Sequence, residues 1–244
     1  MSGHSKWATI KRQKGVNDAK RGQLFTRLGN AIAVAAKTGA DPAMNPALSM
    51  AIEKARAANM PMSNIERSIK RGSGQLGGAQ IEQLLFEGYG PEGVGIIVET
   101  ATDNRNRTTS EVRSAFAKHG GNLAEAGAVA FQFSRKGLIR VKAEPSDENW
   151  LKLLDAGAED VQNVEGEMIV YTDAKALGQV RSALSESGFD IIESSLSYEP
   201  NSLVEIDNSG TLAKIERLLE AIEDQGDVTD VYSNFDVVGA AAGK

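Results

Sequence analysis

The sequence predicts an α+β protein of several domains: an N-terminal three-helix bundle followed by two α/β domains, the last of them ferredoxin-like and inserted into the middle one. Three observations lead there. Apolar residues recur every three to four positions in three short stretches before Gly72, the spacing of a buried helix face. The run Ser73 to Gly78 is rich in Ser and Gly, as a hinge between domains is. Beyond it, helix and strand periods alternate, and residues 137–199 read in the order βαββαβ.

Residues 1–17 are polar, basic and aperiodic, and are expected to form an arm. Leu24, Leu28, Ile32 and Ala35 then line one face of a helix that Gly39 stops. Asn45 and Pro46 supply a cap and a first-turn proline for a second helix, with Leu48, Ile52 and Ala55 inward. Ser63 and Glu66 match a capping box, so a third helix is expected from there to Gly72, with Ile65 and Ile69 on its apolar face.

Gly88, Gly90, Pro91 and Gly93 make a turn-rich entry to Val94–Thr100, whose Val and Ile content predicts a buried strand. Thr108 and Glu111 match a second capping box, opening a helix with Val112 and Phe116 that Gly120 and Gly121 end. Val129, Phe131 and Phe133 alternate and are expected to form a half-buried strand. The βαββαβ unit places strands near Ile139, Val161, Ile169 and Leu196, and helices at Trp150–Leu154 and Leu177–Leu184. The tail carries alternation at Val204 and Ile206, an amphipathic helix at Leu212, Ile215, Leu219 and Ile222, and a strand near Val231. The middle piece has too few strands to be stable alone. The tail is therefore expected to return to it, which gives domains at 1–76, at 77–134 with 203–238, and at 135–202.

At 244 residues and 41% hydrophobic content, the chain can bury cores. The absence of cysteine excludes disulfides, thiolate metal sites and cysteine nucleophiles. The apolar run Ala31 to Ala36 is far shorter than a membrane span of about 20 residues. A soluble chain without a secretion signal is expected, in the cytoplasm; a basic, acid-poor N-terminus also suits a mitochondrial transit sequence, so the matrix is the alternative.

Chemistry is sparse. His4 and His119 are the two histidines, and His119 sits where a cation complements a helix C-terminus. Nothing repeats with metal-ligand spacing, and the nucleophile-elbow, phosphate-loop and dinucleotide motifs are missing. No catalytic residue, metal, cofactor, membrane or small-molecule substrate is expected. Acidic pairs such as Glu159–Asp160 and Glu223–Asp224 read as solvated faces.

Charge is the informative property. Residues 1–72 hold 13 Lys and Arg against 4 Asp and Glu, a balance of +9; the remainder holds 14 against 29, or −15. Such asymmetry points to a polyanion partner for the first part. In the arm, Lys6, Lys11, Arg12, Lys14, Lys20 and Arg21 are candidate phosphate contacts, and Trp7 is placed to stack on a base or an apolar surface. A basic leader that binds nothing specific is the alternative, against which the same sign continues at Arg67, Lys70 and Arg71 on a structured helix. The segment Asp103–Thr108 crowds Arg105 and Arg107 with two amides in a strand-to-helix loop, and reads equally as a ligand loop or as a self-fixed turn. No recognition-helix, RNP or zinc-finger motif is visible, so base-sequence readout is not supported.

Met1 to Trp7, Asp18 to Gly22, Glu87 to Pro91, Asp103 to Thr108 and His119 to Leu123, in that order, resemble the YebC family over essentially the full length. The resemblance implies an N-terminal helical bundle with two α/β domains, and a non-enzymatic, cytoplasmic regulator of gene expression. Its bacterial members imply a DNA-binding transcriptional regulator. Its mitochondrial relative, a translational activator of a cytochrome oxidase subunit, implies the ribosome and ribosomal RNA instead.

Overall fold

The computed structural model describes residues 18–77, 80–164 and 166–239. In chain order it contains α1 (Asp18–Ala36), α2 (Pro46–Ala57), α3 (Met62–Gly72), β1 (Glu82–Tyr89), β2 (Gly95–Thr102), α4 (Arg105–Lys118) and β3 (Asn122–Ala124). There follow β4 (Phe133–Lys142), α5 (Asp147–Asp155), β5 (Asp160–Val164), β6 (Glu167–Asp173), α6 (Leu177–Glu186) and β7 (Asp190–Pro200). The chain ends in β8 (Val204–Ile206), α7 (Ser209–Glu223), β9 (Val228–Ser233) and β10 (Phe235–Val237). Two compact units result: Met1–Phe133 with Pro200–Lys244, and the intervening Ser134–Glu199.

The expected helical stripes form the core of the bundle, with Leu28, Ile32, Leu48, Ile52, Ala55 and Ile65 buried together. Asn45 sets the turn between α1 and α2. Its Oδ1 accepts the Leu48 amide at 3.1 Å while its Nδ2 donates to the carbonyls of Ala35 at 2.8 Å and Gly39 at 2.7 Å. One buried side chain thus satisfies the start of α2 and the end of α1. The expected capping box of Ser63 and Glu66 does not form. Helix α3 starts earlier, behind Pro61, whose carbonyl accepts the Asn64 and Ile65 amides, so Ser63 lies inside the first turn. At its other end α3 touches the backbone of α1: a Cβ on Gly72 would stand 2.0 Å from the Ala33 carbonyl oxygen.

The first sheet has the order β3-β1-β2-β9, with every neighbouring pair antiparallel. The C-terminal tail therefore does join the sheet of the middle segment, through Ile96↔Ser233 and Val98↔Val231. Strand β2 is central and buried on both sides, which is why its sequence is a continuous apolar run. Ile96 and Val98 pack with Phe116 of α4 and Ile215, Leu218 and Ile222 of α7, while Ala101 meets Ala33 of α1 and Ile81. Strands β8 and β10 pair in parallel as a separate ribbon, adding Ile206 and Phe235 to the core.

Strand β1 has no clear apolar alternation because it carries Glu87 and Gly88 in its interior. Gly88 is required there: a Cβ would lie 2.5 Å from the Phe116 ring. Glu87 is only 4% exposed and reaches the loop before β4, where its carboxylate accepts the amides of Gly127, Val129 and Ala130 at 2.6–2.7 Å. That carboxylate corrects the expected strand at Val129–Phe133. The backbone curls around it into a 3-10 turn at Ala130–Gln132, Val129 and Phe133 are buried, and Phe131 is left 71% exposed.

The second unit has the expected βαββαβ order and sheet order β5-β6-β4-β7, the ferredoxin-like plan. Ile139 of β4 pairs with Val170 of β6, which pairs with Val161 of β5. Leu153 of α5 and Leu177, Val180 and Leu184 of α6 are buried. Gly137 permits that packing, since a Cβ there would stand 2.3 Å from Thr172 Oγ1 and 2.9 Å from Leu177.

Burial alone raises the Glu87 carboxyl, but the three amide donors outweigh it and the net shift is downward. Its stabilisation is therefore complete above the ordinary carboxylate range and is lost as pH falls through the depressed folded value. Replacing Glu87 with Gln is expected to cost about 2 kcal/mol at neutral pH and to flatten the acid limb of the stability curve, measured by urea unfolding across pH.

Candidate nucleic-acid interface

The C-terminal end of β2 leads into the loop that the sequence marks as rich in arginine and amides. Asn104, not Thr108, caps α4: its Oδ1 accepts the Arg107 amide at 3.1 Å. Thr108 lies inside the helix and is buried, so the expected capping box of Thr108 and Glu111 does not form. Its hydroxyl is needed elsewhere, donating to Asp227 Oδ2 at 2.7 Å.

Asp227, just before β9, is the hub of this loop. Its backbone carbonyl accepts the Ala101 amide at 2.8 Å. Its Oδ2 also accepts from Thr102 Oγ1 at 3.0 Å and from the Arg107 guanidinium at 2.7 Å. The same guanidinium nitrogen reaches Asp103 at 3.1 Å, and Thr102 Oγ1 accepts the Asn104 amide at 2.9 Å. Burial pushes the Asp227 carboxyl upward, but donors Arg107, Thr108 and Thr102 outweigh it and hold it below the ordinary range. The hydrogen bond and charge of Asp227 raise Arg107 in turn.

The helical bundle meets this end of the sheet. Asn30 of α1 is buried, donates to the Ala101 carbonyl at 3.2 Å, and accepts the guanidinium of Arg71. Arg27 donates to the Glu223 carbonyl, Lys37 Nζ to that of Ile81 at 2.9 Å, and Lys54 lies 3.7 Å from Asp230. Desolvation lowers Arg71, and its neighbour Arg67 adds to this, while Asp103 and Asp227 oppose it. The last turn of α3 and the loop after β2 therefore share one electrostatic environment.

The candidate cations thus divide. Arg67 and Lys70 on α3 and Arg105 at the start of α4 are exposed, and among the described residues their side chains make no hydrogen bond or ion pair. Arg71 and Arg107 are tied down by Asn30 and by the two aspartates. Lys20 and Arg21 fall in the first turn of α1, whereas Lys6, Trp7, Lys11, Arg12 and Lys14 lie outside the described residues. Asn30, Thr102 and Asp227 escaped sequence reasoning because their partners are remote in the chain. Asn30 lies off the Leu24, Leu28, Ile32 and Ala35 stripe, on the face of α1 that meets Ala101 of the sheet, so the apolar period of the helix gave no hint of it.

No group of three or more His, Asp or Glu side chains among the described residues is placed to hold a metal ion. No helix among them is long and apolar enough to cross a membrane.

These features define an α+β protein that presents exposed cations on α3 and at the start of α4, beside a carboxylate hub. The chain belongs to the TACO1/YebC family. Residues 5–75 match the family's N-terminal domain, and residues 81–235 match its second and third domain. A protein of Persephonella marina called a probable transcriptional regulatory protein is 50% identical over 97% of this chain and 96% of its own length. One of Treponema denticola with the same name is 49% identical over 97% of each chain. The crystal structure of a conserved hypothetical protein from Aquifex aeolicus superposes with a TM-score of 0.87 at 47% identity, covering 96% of this chain and 98% of that one.

Thr108→Val removes a hydroxyl donor to the Asp227 carboxylate without changing side-chain shape. It is expected to lower stability by about 1.5 kcal/mol, seen as a lower urea midpoint at unchanged m-value.

Proposed function

We propose that this protein regulates gene expression by binding the phosphate backbone of nucleic acid through its basic N-terminal region, with DNA as the target. The observation that carries the reading is the +9 balance of residues 1–72, continued onto a folded helix by Arg67 and Lys70. Polyanion binding by such a region is driven largely by counterion release and is strongly salt-dependent. The names of the bacterial relatives support a transcriptional role. The lack of a base-reading motif favours recognition of backbone and shape over sequence.

The acidic remainder of the chain repels a polyanion and leaves the basic region as the side that approaches it. The arm residues Lys6, Lys11, Arg12, Lys14, Lys20 and Arg21 supply further phosphate contacts in this reading, and Trp7 a stacking surface.

Neutralising Lys11, Arg12 and Lys14 together is expected to weaken binding and to flatten the dependence of log K on log salt. The slope falls by about 0.9 for each phosphate no longer neutralised on duplex DNA and by about 0.7 on single strands. An unchanged slope on every nucleic acid tried would overturn the reading. Tighter binding to ribosomal RNA helices than to duplex DNA would move the target from transcription to translation.

A further inference from the structure

We propose that Arg67 and Lys70 on α3 and Arg105 at the start of α4 form one phosphate-contacting surface, and that Asp227 holds its two halves in place. The inference rests on the nucleic-acid reading above, and adds which cations touch the ligand and which residue positions them.

Arg67 and Lys70 are three positions apart and share one face of α3. Both are exposed and, like Arg105, make no side-chain hydrogen bond or ion pair among the described residues. Exposed cations without carboxylate partners keep their full attraction for a phosphate, because no internal salt bridge has to be broken first. Arg71 and Arg107 differ from them. Arg107 stands between Asp227 at 2.7 Å and Asp103 at 3.1 Å, and Arg71 reaches the buried Asn30. These two arginines pin the scaffold, and the other three face the ligand.

The two halves lie far apart in sequence and are joined through Asp227. This residue binds the end of β2 through its backbone, at Ala101. It binds the start of α4 through its side chain, at Arg107 and Thr108. The Ala101 carbonyl receives Asn30, which holds Arg71 of α3. A continuous chain of hydrogen bonds therefore runs from the cationic helix to the loop that presents Arg105. Charge count alone assigns Asp227 the opposite effect, since a carboxylate near a phosphate site repels the ligand.

The test uses the full chain, titrated by fluorescence anisotropy across salt with two probes: a DNA duplex of about two helical turns and an RNA hairpin. Arg105→Gln is expected to lower the log–log slope on duplex DNA by about 0.9, and Arg105→Lys to restore it. Asp227→Asn removes a negative charge, yet is expected to lose at least as much affinity as Arg105→Gln. Tighter or unchanged binding by Asp227→Asn would overturn the positioning role. An unchanged slope for Arg105→Gln would overturn the surface, and that variant decides even if Asp227→Asn fails to fold by circular dichroism. Binding abolished by neutralising the arm but untouched by Arg105→Gln sinks this inference alone; an intact protein that binds neither probe sinks the nucleic-acid reading with it. The probe on which the affinity drops identifies the source of the phosphates.

Discussion

Strand β2 is buried on both faces, and the arrangement of the larger unit follows from that constraint. One face carries Ile96 and Val98 against α4 and α7. The other brings Ala101 against Ala33 of the helical bundle. A strand enclosed in this way has to end where both layers end, so the segment leaving Thr102 emerges between the sheet helices and the bundle. The turn there has to satisfy its polar groups within a crowded corner. Asp227 does so by accepting from Thr102, Arg107 and Thr108 with one carboxylate oxygen.

The junction between bundle and sheet is small in apolar terms and rich in polar contacts. Ala33, Ile81 and Ala101 form its buried centre. Around them Asn30, Arg27 and Lys37 donate to backbone carbonyls of the α/β layer. Directional bonds of this kind fix orientation more than they add stability, which suits a surface assembled from two elements. Glu87 performs a similar task elsewhere on the sheet by curling residues 127–130 around its carboxylate.

Much of this architecture was legible in the sequence, and the reasons are local. Asn45 followed by Pro46 signals a helix start within two residues, and the βαββαβ order of the second unit follows from periods of 3.6 and 2. The errors are local signals overruled from afar. Thr108 and Glu111 have capping-box spacing, but Asn104 takes the cap and Asp227 claims the Thr108 hydroxyl from 119 residues away. Val129, Phe131 and Phe133 alternate like a strand, but Glu87 draws their backbone into a turn from 42 residues away. Strand β1 was hidden by the same glutamate and by a glycine that the Phe116 ring demands. At the candidate site, charge pointed to one helix and one loop. Only the fold separates the arginines that are tied down from those left facing outward.

If the exposed cations of α3 and of the α4 start act as one surface while the pinned arginines do not, the two kinds of arginine respond differently to ligand. Side-chain NMR of the arginine Nε–H groups during titration with duplex DNA tests this most directly. The Arg67 and Arg105 resonances are expected to shift together over one concentration range, with Arg107 nearly stationary in its pairing with Asp227. A large shift at Arg107 with Arg105 unmoved would contradict it.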